Sequence, residues 1–114
     1  MACLLALGVG GARAQNASVV FRNKTEINLI VQGYTIVNGN KRAGPAMQLK
    51  KTDGKAFESN VPGGFRYYTV IDANNFRVLL RDHQVPIQNL NTSLDIVPVQ
   101  GNPNRVMIVA TPAP

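Results

Sequence analysis

The sequence predicts an all-β fold, specifically an antiparallel β-sandwich of about seven to nine short strands. Short runs of β-branched and aromatic residues recur at a spacing of roughly ten residues. Turn-forming residues separate these runs, and no stretch shows the sustained 3.6-residue period of an amphipathic helix. With 114 residues, the chain is long enough for one hydrophobic core and too short for two. A small closed β-barrel is the alternative, because the same periodicity suits both architectures.

The first 14 residues have the features of a signal peptide. Met1–Gly11 is an uncharged run of small and apolar residues, and Ala12-Arg13-Ala14 places alanine at both positions that signal peptidase reads. Cleavage after Ala14 would leave residues 15–114 as one domain, either secreted or periplasmic. The run lacks a basic beginning, so we expect the natural start to lie upstream. It is shorter than the roughly 20 apolar residues that span a bilayer, so we expect no transmembrane segment.

The predicted mature chain contains no cysteine, because Cys3 lies inside the apolar run. This excludes thiol catalysis and cysteine-ligated metal sites from the exported domain. A core must hold the domain together without disulfides. The composition favours a bacterial envelope over a disulfide-rich eukaryotic secretory pathway.

The first half of the predicted domain contains several short strands separated by turn signals. Asn38-Gly39 predicts a type I′ hairpin turn, because both central residues of that turn need positive φ. Asp53-Gly54 predicts a second tight turn between adjacent antiparallel strands. Gly33 is expected to bend or bulge its strand. The predicted strands of this half are Val19–Arg22, Ile27–Gln32, Tyr34–Val37, Ala46–Leu49 and Ala56–Ser59.

The second half has a clearer strand pattern. In the run from residue 76 to 82, we expect Phe76, Val78 and Leu80 to face the core, and Arg77 and Arg81 to face solvent. Parallel pairing is not expected, because it needs crossovers for which the chain lacks room. The strands predicted here are Phe65–Asp72, Phe76–Asp82, Leu94–Val97 and Val106–Ala110. The side chains expected to dominate the core are Leu29, Ile71, Val78, Leu80 and Ile108.

A Pro-Gly turn leads into an aromatic strand within residues 54–80. The relevant residues are Gly54, Phe57, the run Val61-Pro62-Gly63-Gly64-Phe65-Arg66-Tyr67-Tyr68-Thr69-Val70, and Phe76. This order resembles the transthyretin-like sandwich modules of bacterial surface proteins, in which a Pro-Gly turn precedes a Tyr-x-Val strand. The resemblance implies a non-catalytic accessory domain with an immunoglobulin-like topology. No functional residue carries over, because packing and turns define such modules.

The sequence offers no catalytic set, so we expect neither enzymatic activity nor a cofactor. His83 is the one histidine, and its neighbour Asp82 would point to the opposite face of a strand. The six carboxylates are scattered, so nothing selects a catalytic pair. The turn Asp72–Asn75 offers oxygen atoms, but Asp and Asn are also common turn formers. We expect no metal site.

Positive charge is the most distinctive feature of the chain. Without Arg13, 11 basic residues face 6 acidic residues, a net charge of +5. Five basic residues lie within one predicted hairpin region, and Asp53 is the only acid among them. They form a candidate site for an anionic envelope polymer, or a solvated edge that resists aggregation. Because export is predicted, we expect no nucleic acid partner. The five residues are Lys41, Arg42, Lys50, Lys51 and Lys55.

Aromatic residues provide a second candidate surface. Tyr67 and Tyr68 are neighbours on a predicted strand, so one must face the core and the other must face outward. The candidate recognition surface comprises Arg66, Tyr68 and Arg77. The alternative is ordinary cross-strand packing of the tyrosine.

These observations favour an exported, non-catalytic protein that acts by binding or assembly at the cell envelope, with an unidentified protein or anionic polymer as its partner. One alternative is a structural subunit joined by edge-strand pairing, through a segment such as Val19–Arg22 or Val106–Thr111. Another is a polyanion-binding protein that uses the basic hairpin. The oligomeric state is left open.

Overall fold

The computed structural model describes residues 16–88 and 91–112. Within these ranges the chain forms nine strands and no helix, which confirms the predicted all-β class. The predicted signal peptide, residues 1–14, lies outside the described residues. In chain order the strands are β1 (Asn16–Asn23), β2 (Leu29–Val37), β3 (Asn40–Ala43), β4 (Met47–Leu49), β5 (Lys55–Pro62), β6 (Gly64–Asp72), β7 (Val78–Ile87), β8 (Thr92–Val99) and β9 (Asn102–Ala110).

The strands form two sheets that pack face to face. The four-stranded sheet has the order β9-β8-β1-β5. The five-stranded sheet has the order β3-β2-β6-β7, and β4 pairs with β2 beside β3. The two sheets stay separate throughout the described residues. The architecture is therefore the predicted sandwich rather than the alternative barrel.

Alternate side chains of both sheets point between them and form one core. Leu29 and Ile108 are buried, as predicted, whereas Ile71 is only half-buried. At the centre, the Phe21 ring meets the Tyr68 ring edge to face, with centroids 4.8 Å apart and an interplanar angle of 77°. This arrangement suits the quadrupoles of aromatic rings, so the pair links the two sheets through the core.

The side-chain alternation of β7 differs from the predicted one. Leu79 is 4% exposed and points into the core, whereas Val78 and Leu80 are half-buried. Phe76 lies exposed before the strand begins. Leu79 follows the same alternation as Val85 and Ile87, the other buried side chains of this strand, because the two irregularities in the β6–β7 pairing each add one residue to β7 and cancel. The predicted inward set is therefore wrong for Phe76 and omits Leu79, whereas the half-buried Leu80 does pack against the core.

One pair of strands is parallel, which corrects the expectation of purely antiparallel pairing. β1 lies parallel to β8, with Val19 opposite Thr92 and Asn23 opposite Ile96. A parallel pair needs a long crossover, and here the six strands from β2 to β7 supply it. As a result, β1 is an internal strand between β8 and β5.

The two predicted turns have different outcomes. Asn38-Gly39 forms the expected hairpin turn between β2 and β3, with φ values of 51° and 81°. The expectation that Asp53-Gly54 joins strands of one sheet is wrong, because β4 pairs with β2 and β5 pairs with β1 in the other sheet. Glycine is required at position 54, because a Cβ there would collide with the backbone of Lys50.

Candidate functional site

A buried ion pair joins the two sheets. Glu58 extends from β5 and Arg66 from β6, and each side chain is at most 5% exposed. Arg66 Nε donates to Glu58 Oε1 at 3.0 Å, and Nη2 donates to Oε2 at 2.5 Å. Tyr68 Oη also donates to Glu58 Oε1, at 2.7 Å, and Arg66 Nη1 donates to Thr35 Oγ1 at 2.6 Å. We call Thr35, Glu58, Arg66 and Tyr68 the inter-sheet clamp.

Two glycines leave room for the inter-sheet clamp. A Cβ at Gly33 would lie 2.8 Å from Arg66 Nε and 2.7 Å from Tyr68 Cδ1, and a Cβ at Gly44 would lie 2.7 Å from Arg66 Nη2. Both positions are too close for a side chain. Since β2 pairs in unbroken register through Gly33, the predicted bend or bulge is wrong. Glycine permits close packing there instead.

The inter-sheet clamp has the chemistry of a structural link. Glu58 accepts three hydrogen bonds from Arg66 and Tyr68, which satisfy a charge that would be costly to bury alone. Burial, together with the adjacent Glu58, raises the pKa of Tyr68 well above its usual range, so the phenol stays protonated near neutral pH. The cleft beside the clamp measures about 190 Å³, smaller than the roughly 300–1,000 Å³ of typical ligand pockets.

The predicted recognition surface is not formed. Arg66 and Tyr68 are 4% and 0% exposed, so neither can contact a partner. Arg77 is exposed, but it lies beside Asp72 on β6, six residues or about 20 Å from Arg66 along the strand. Its guanidinium donates to Asn104 Oδ1 at 2.8 Å. Sequence reasoning did not identify Glu58, the carboxylate that makes burial of Arg66 favourable.

The five predicted anion-binding residues fall into two separate groups. Lys41 and Arg42 lie on β3, opposite the end of β2 near Ile36. Lys50 and Lys51 follow β4, which pairs with the other end of β2 near Leu29. Seven residues of extended strand separate these two points, a distance of about 23 Å. Lys55 begins β5 close to the second group. The residues are all exposed, but they do not converge as one site.

The outer face of the five-stranded sheet carries exposed aromatic and aliphatic side chains. Tyr34 on β2 and Tyr67 on β6 lie opposite each other and stack, with centroids 5.2 Å apart and an interplanar angle of 23°. Ile36 and Phe65, the next outward residues on these strands, are 49% and 55% exposed. We call Tyr34, Ile36, Phe65 and Tyr67 the outer aromatic patch. The outward tyrosine of the adjacent pair is thus Tyr67 rather than Tyr68.

Charged side chains border the outer aromatic patch on two sides. Lys41 Nζ lies 4.3 Å from the centroid of the Tyr34 ring, within cation–π range. On the other side, desolvation and then the Asp82 carboxylate raise the pKa of Tyr34. Asp82 also accepts a hydrogen bond from Thr69 Oγ1 at 3.5 Å. Tyrosine and phenylalanine are enriched in protein–protein interfaces, with charged groups at the rim, so this face has the composition of a contact surface.

The edge of the four-stranded sheet is a second candidate contact. β9 is its last strand, and no other strand in the described ranges pairs with its outer side. Residues 106–111 contain neither charge nor proline. Unprotected apolar edges of this kind accept an additional strand. Val19–Arg22, the other predicted edge segment, lies in β1 inside the sheet, so that prediction is wrong.

Three further findings concern metal binding, the single histidine and membrane crossing. In residues 16–88 and 91–112, no three histidine, cysteine, aspartate or glutamate side chains are grouped in a way that could hold a metal ion. His83 is half-buried on β7, opposite Tyr68. The same ranges contain no helix with the length and apolar character to cross a membrane.

No protein-family model matches the chain, and no curated protein matches it in sequence. Several solved structures resemble it, among them the following two. The T6SS lipoprotein TssJ1 from Pseudomonas aeruginosa superposes with a TM-score of 0.54 at 11% identity, over 88% of this chain and 98% of that one. A protein from Eubacterium rectale, solved by NMR, gives 0.54 at 14% identity, over 90% and 94%.

At such low identity the two structures show a shared fold and nothing about shared activity. The likeness extends over most of each of the three chains. Neither structure is described as transthyretin-like or immunoglobulin-like, so that finer resemblance stays a prediction. The comparisons therefore show that this chain shares its overall fold with a T6SS lipoprotein.

Proposed function

We propose that the protein is an exported, non-catalytic β-sandwich that binds a partner protein at the cell envelope through the outer aromatic patch. The patch itself carries the proposal. It presents two stacked tyrosines with Ile36 and Phe65 on a solvent-facing sheet, although an exposed sheet face is ordinarily polar. Removing apolar area from water contributes about 25 cal/mol per Å², so covering these side chains would favour association.

Sequence and fold support the rest of the proposal. The predicted signal peptide supports export, and the similarity in fold to a T6SS lipoprotein supports a place at the envelope. The non-catalytic assignment rests on the scattered carboxylates of the sequence and on the inter-sheet clamp, whose polar groups bind one another. In a binding role, the sandwich would hold the side chains of the outer aromatic patch in fixed positions.

Site-specific photo-crosslinking in the exporting cell tests the proposed surface. A benzophenone-bearing amino acid at position 65 should crosslink to one protein of defined mass, and the same group at position 57 should not. Phe57 is a matched control, because it is 71% exposed on the other sheet. Tyr67→Ala should weaken binding of the identified protein by about 30-fold, the cost of losing a central aromatic contact. Equal crosslinking from both positions, or none from position 65, would contradict the proposal.

A second candidate function is assembly through β9, and the uncharged edge at residues 106–111 favours it. An edge strand can pair with a second copy in antiparallel orientation. Sedimentation equilibrium of the purified protein should then show association that depends on concentration. Met107→Lys should shift the equilibrium toward monomer, because lysine on an edge opposes strand addition, whereas Phe57→Lys on the opposite edge strand should not. A monomer at all concentrations would rule out self-assembly.

A further inference from the structure

An exposed phenylalanine lies at one end of the sandwich. Phe76 lies in the loop between β6 and β7, where its side chain is 71% exposed and its φ is +59°. This left-handed backbone is unfavourable for a bulky residue. Hydrogen bonds nevertheless hold the loop: Phe76 N donates to Asp72 O at 2.8 Å, and Asp72 N donates to Arg77 O at 2.9 Å. The fold therefore presents this apolar side chain to solvent in a defined position.

One lysine lies beside this phenylalanine, and a second lysine follows the first in the chain. Lys50 and Phe76 line the same open cleft of about 380 Å³, with Leu29 and Leu49 at its base. Lys51 follows directly, and both lysines are exposed. We call Lys50, Lys51 and Phe76 the loop-end triad. It lies at the opposite end of β2 from Ile36 of the outer aromatic patch.

The backbone that carries the lysines is anchored to the core. Buried Asn23 donates from Nδ2 to Leu49 O at 3.2 Å and to Lys50 O at 3.1 Å. Lys51 N donates to Asn28 Oδ1 at 2.8 Å. The acid of this turn, Asp53, forms an ion pair with Lys24 at 2.6 Å. The ammonium groups of Lys50 and Lys51 thus extend from a fixed loop whose carboxylate already has a partner.

We propose that the loop-end triad binds the surface of an anionic phospholipid bilayer, a site independent of the outer aromatic patch. Phe76 enters the boundary between headgroups and acyl chains, and Lys50 and Lys51 contact lipid phosphates. An aromatic ring flanked by cations is the combination that binds such interfaces. The triad offers one exposed ring and two exposed cations, which suits a bilayer surface. A single-stranded nucleic acid or a peptide would require several stacking or hydrogen-bonding positions. The positive charge of the chain complements an anionic membrane.

A fluorescence experiment tests this directly, because the chain contains no tryptophan. Phe76→Trp in the full-length chain introduces a single reporter at the proposed insertion point. With vesicles of equal parts phosphatidylglycerol and phosphatidylcholine, its emission should shift to the blue; with phosphatidylcholine vesicles alone it should not. Phe65→Trp, a reporter on the outer aromatic patch, should show no shift with either. Circular dichroism verifies that each variant keeps its strand signal.

The lysines are tested in the same assay. Lys50→Gln with Lys51→Gln should weaken binding to the anionic vesicles by about 25-fold, since each lysine near an anionic surface contributes roughly fivefold. Lys41→Gln with Arg42→Gln removes the same charge at the other end of β2 and should have little effect. The proposal is overturned if Phe76→Trp emission is unchanged by anionic vesicles, or if both reporters shift equally. It is also overturned if the two charge-matched double variants bind alike.

Discussion

Replacing Arg66 with methionine is expected to destabilise the protein by about 3–5 kcal/mol. The substitution keeps the length and removes the charge, so Glu58 is left buried without its two-pronged partner. Stabilities of small domains are about 5–15 kcal/mol, so this loss would consume much of the total. Urea denaturation followed by far-UV circular dichroism measures the change. Arg81→Met, at an exposed position of β7, is the control and should change stability by less than about 0.5 kcal/mol.

A double variant separates the ion pair from simple packing. Glu58→Gln combined with Arg66→Met removes both charges, and it should recover part of the stability lost in Arg66→Met alone. Recovery follows because a neutral amide is less costly to bury than an unpaired carboxylate. Two results would show that the ion pair does not stabilise the contact between the sheets. One is a destabilisation of less than about 1 kcal/mol in Arg66→Met. The other is an additive double variant, in which Glu58→Gln destabilises Arg66→Met as much as it destabilises the parent.

Phe21→Ala should cost about 3–5 kcal/mol, because it removes a fully buried ring and leaves a cavity against Tyr68. The control is Phe57→Ala, which deletes the same side chain from a 71% exposed position on the neighbouring strand. That variant should stay within about 0.5 kcal/mol of the parent. Thermal or urea denaturation of both variants checks the contrast. Similar losses of stability at the two positions would contradict the assignment of Phe21 to the core and of Phe57 to the surface.

The two neighbouring tyrosines show what the alternation along one strand can predict and what it cannot. The neighbours Tyr67 and Tyr68 predict one inward and one outward ring, and the structure has both. Nothing local distinguishes the two, and a charged residue at position 66 favours the opposite assignment. The choice depends on Glu58, which reaches across from the other sheet to neutralise Arg66. The outer aromatic patch could not be predicted from the sequence, because the ion pair between Glu58 and Arg66 forms only when the two sheets pack together.

The basic residues show a similar dependence on tertiary contacts. Lys41 and Lys50 are close in the chain, so one hairpin was the simplest prediction. β3 and β4 instead pair with opposite ends of β2, which separates the charges by most of a strand. The same arrangement brings Lys50 next to Phe76, a residue 26 positions further along. Each proposed binding surface therefore joins segments that are distant in sequence.

The sequence by itself determined most of the strands, though not β3, together with the absence of helical periodicity and the Asn38-Gly39 turn. These features depend on residues within a few positions of one another. Only the tertiary structure decided that β1 lies parallel to β8, that the turn at Asp53 crosses between sheets, and that Leu79 is more deeply buried than Leu80. The energy of each of these choices lies in contacts with distant strands. Alternation along one strand gives two faces, but only the facing sheet determines which of them is buried.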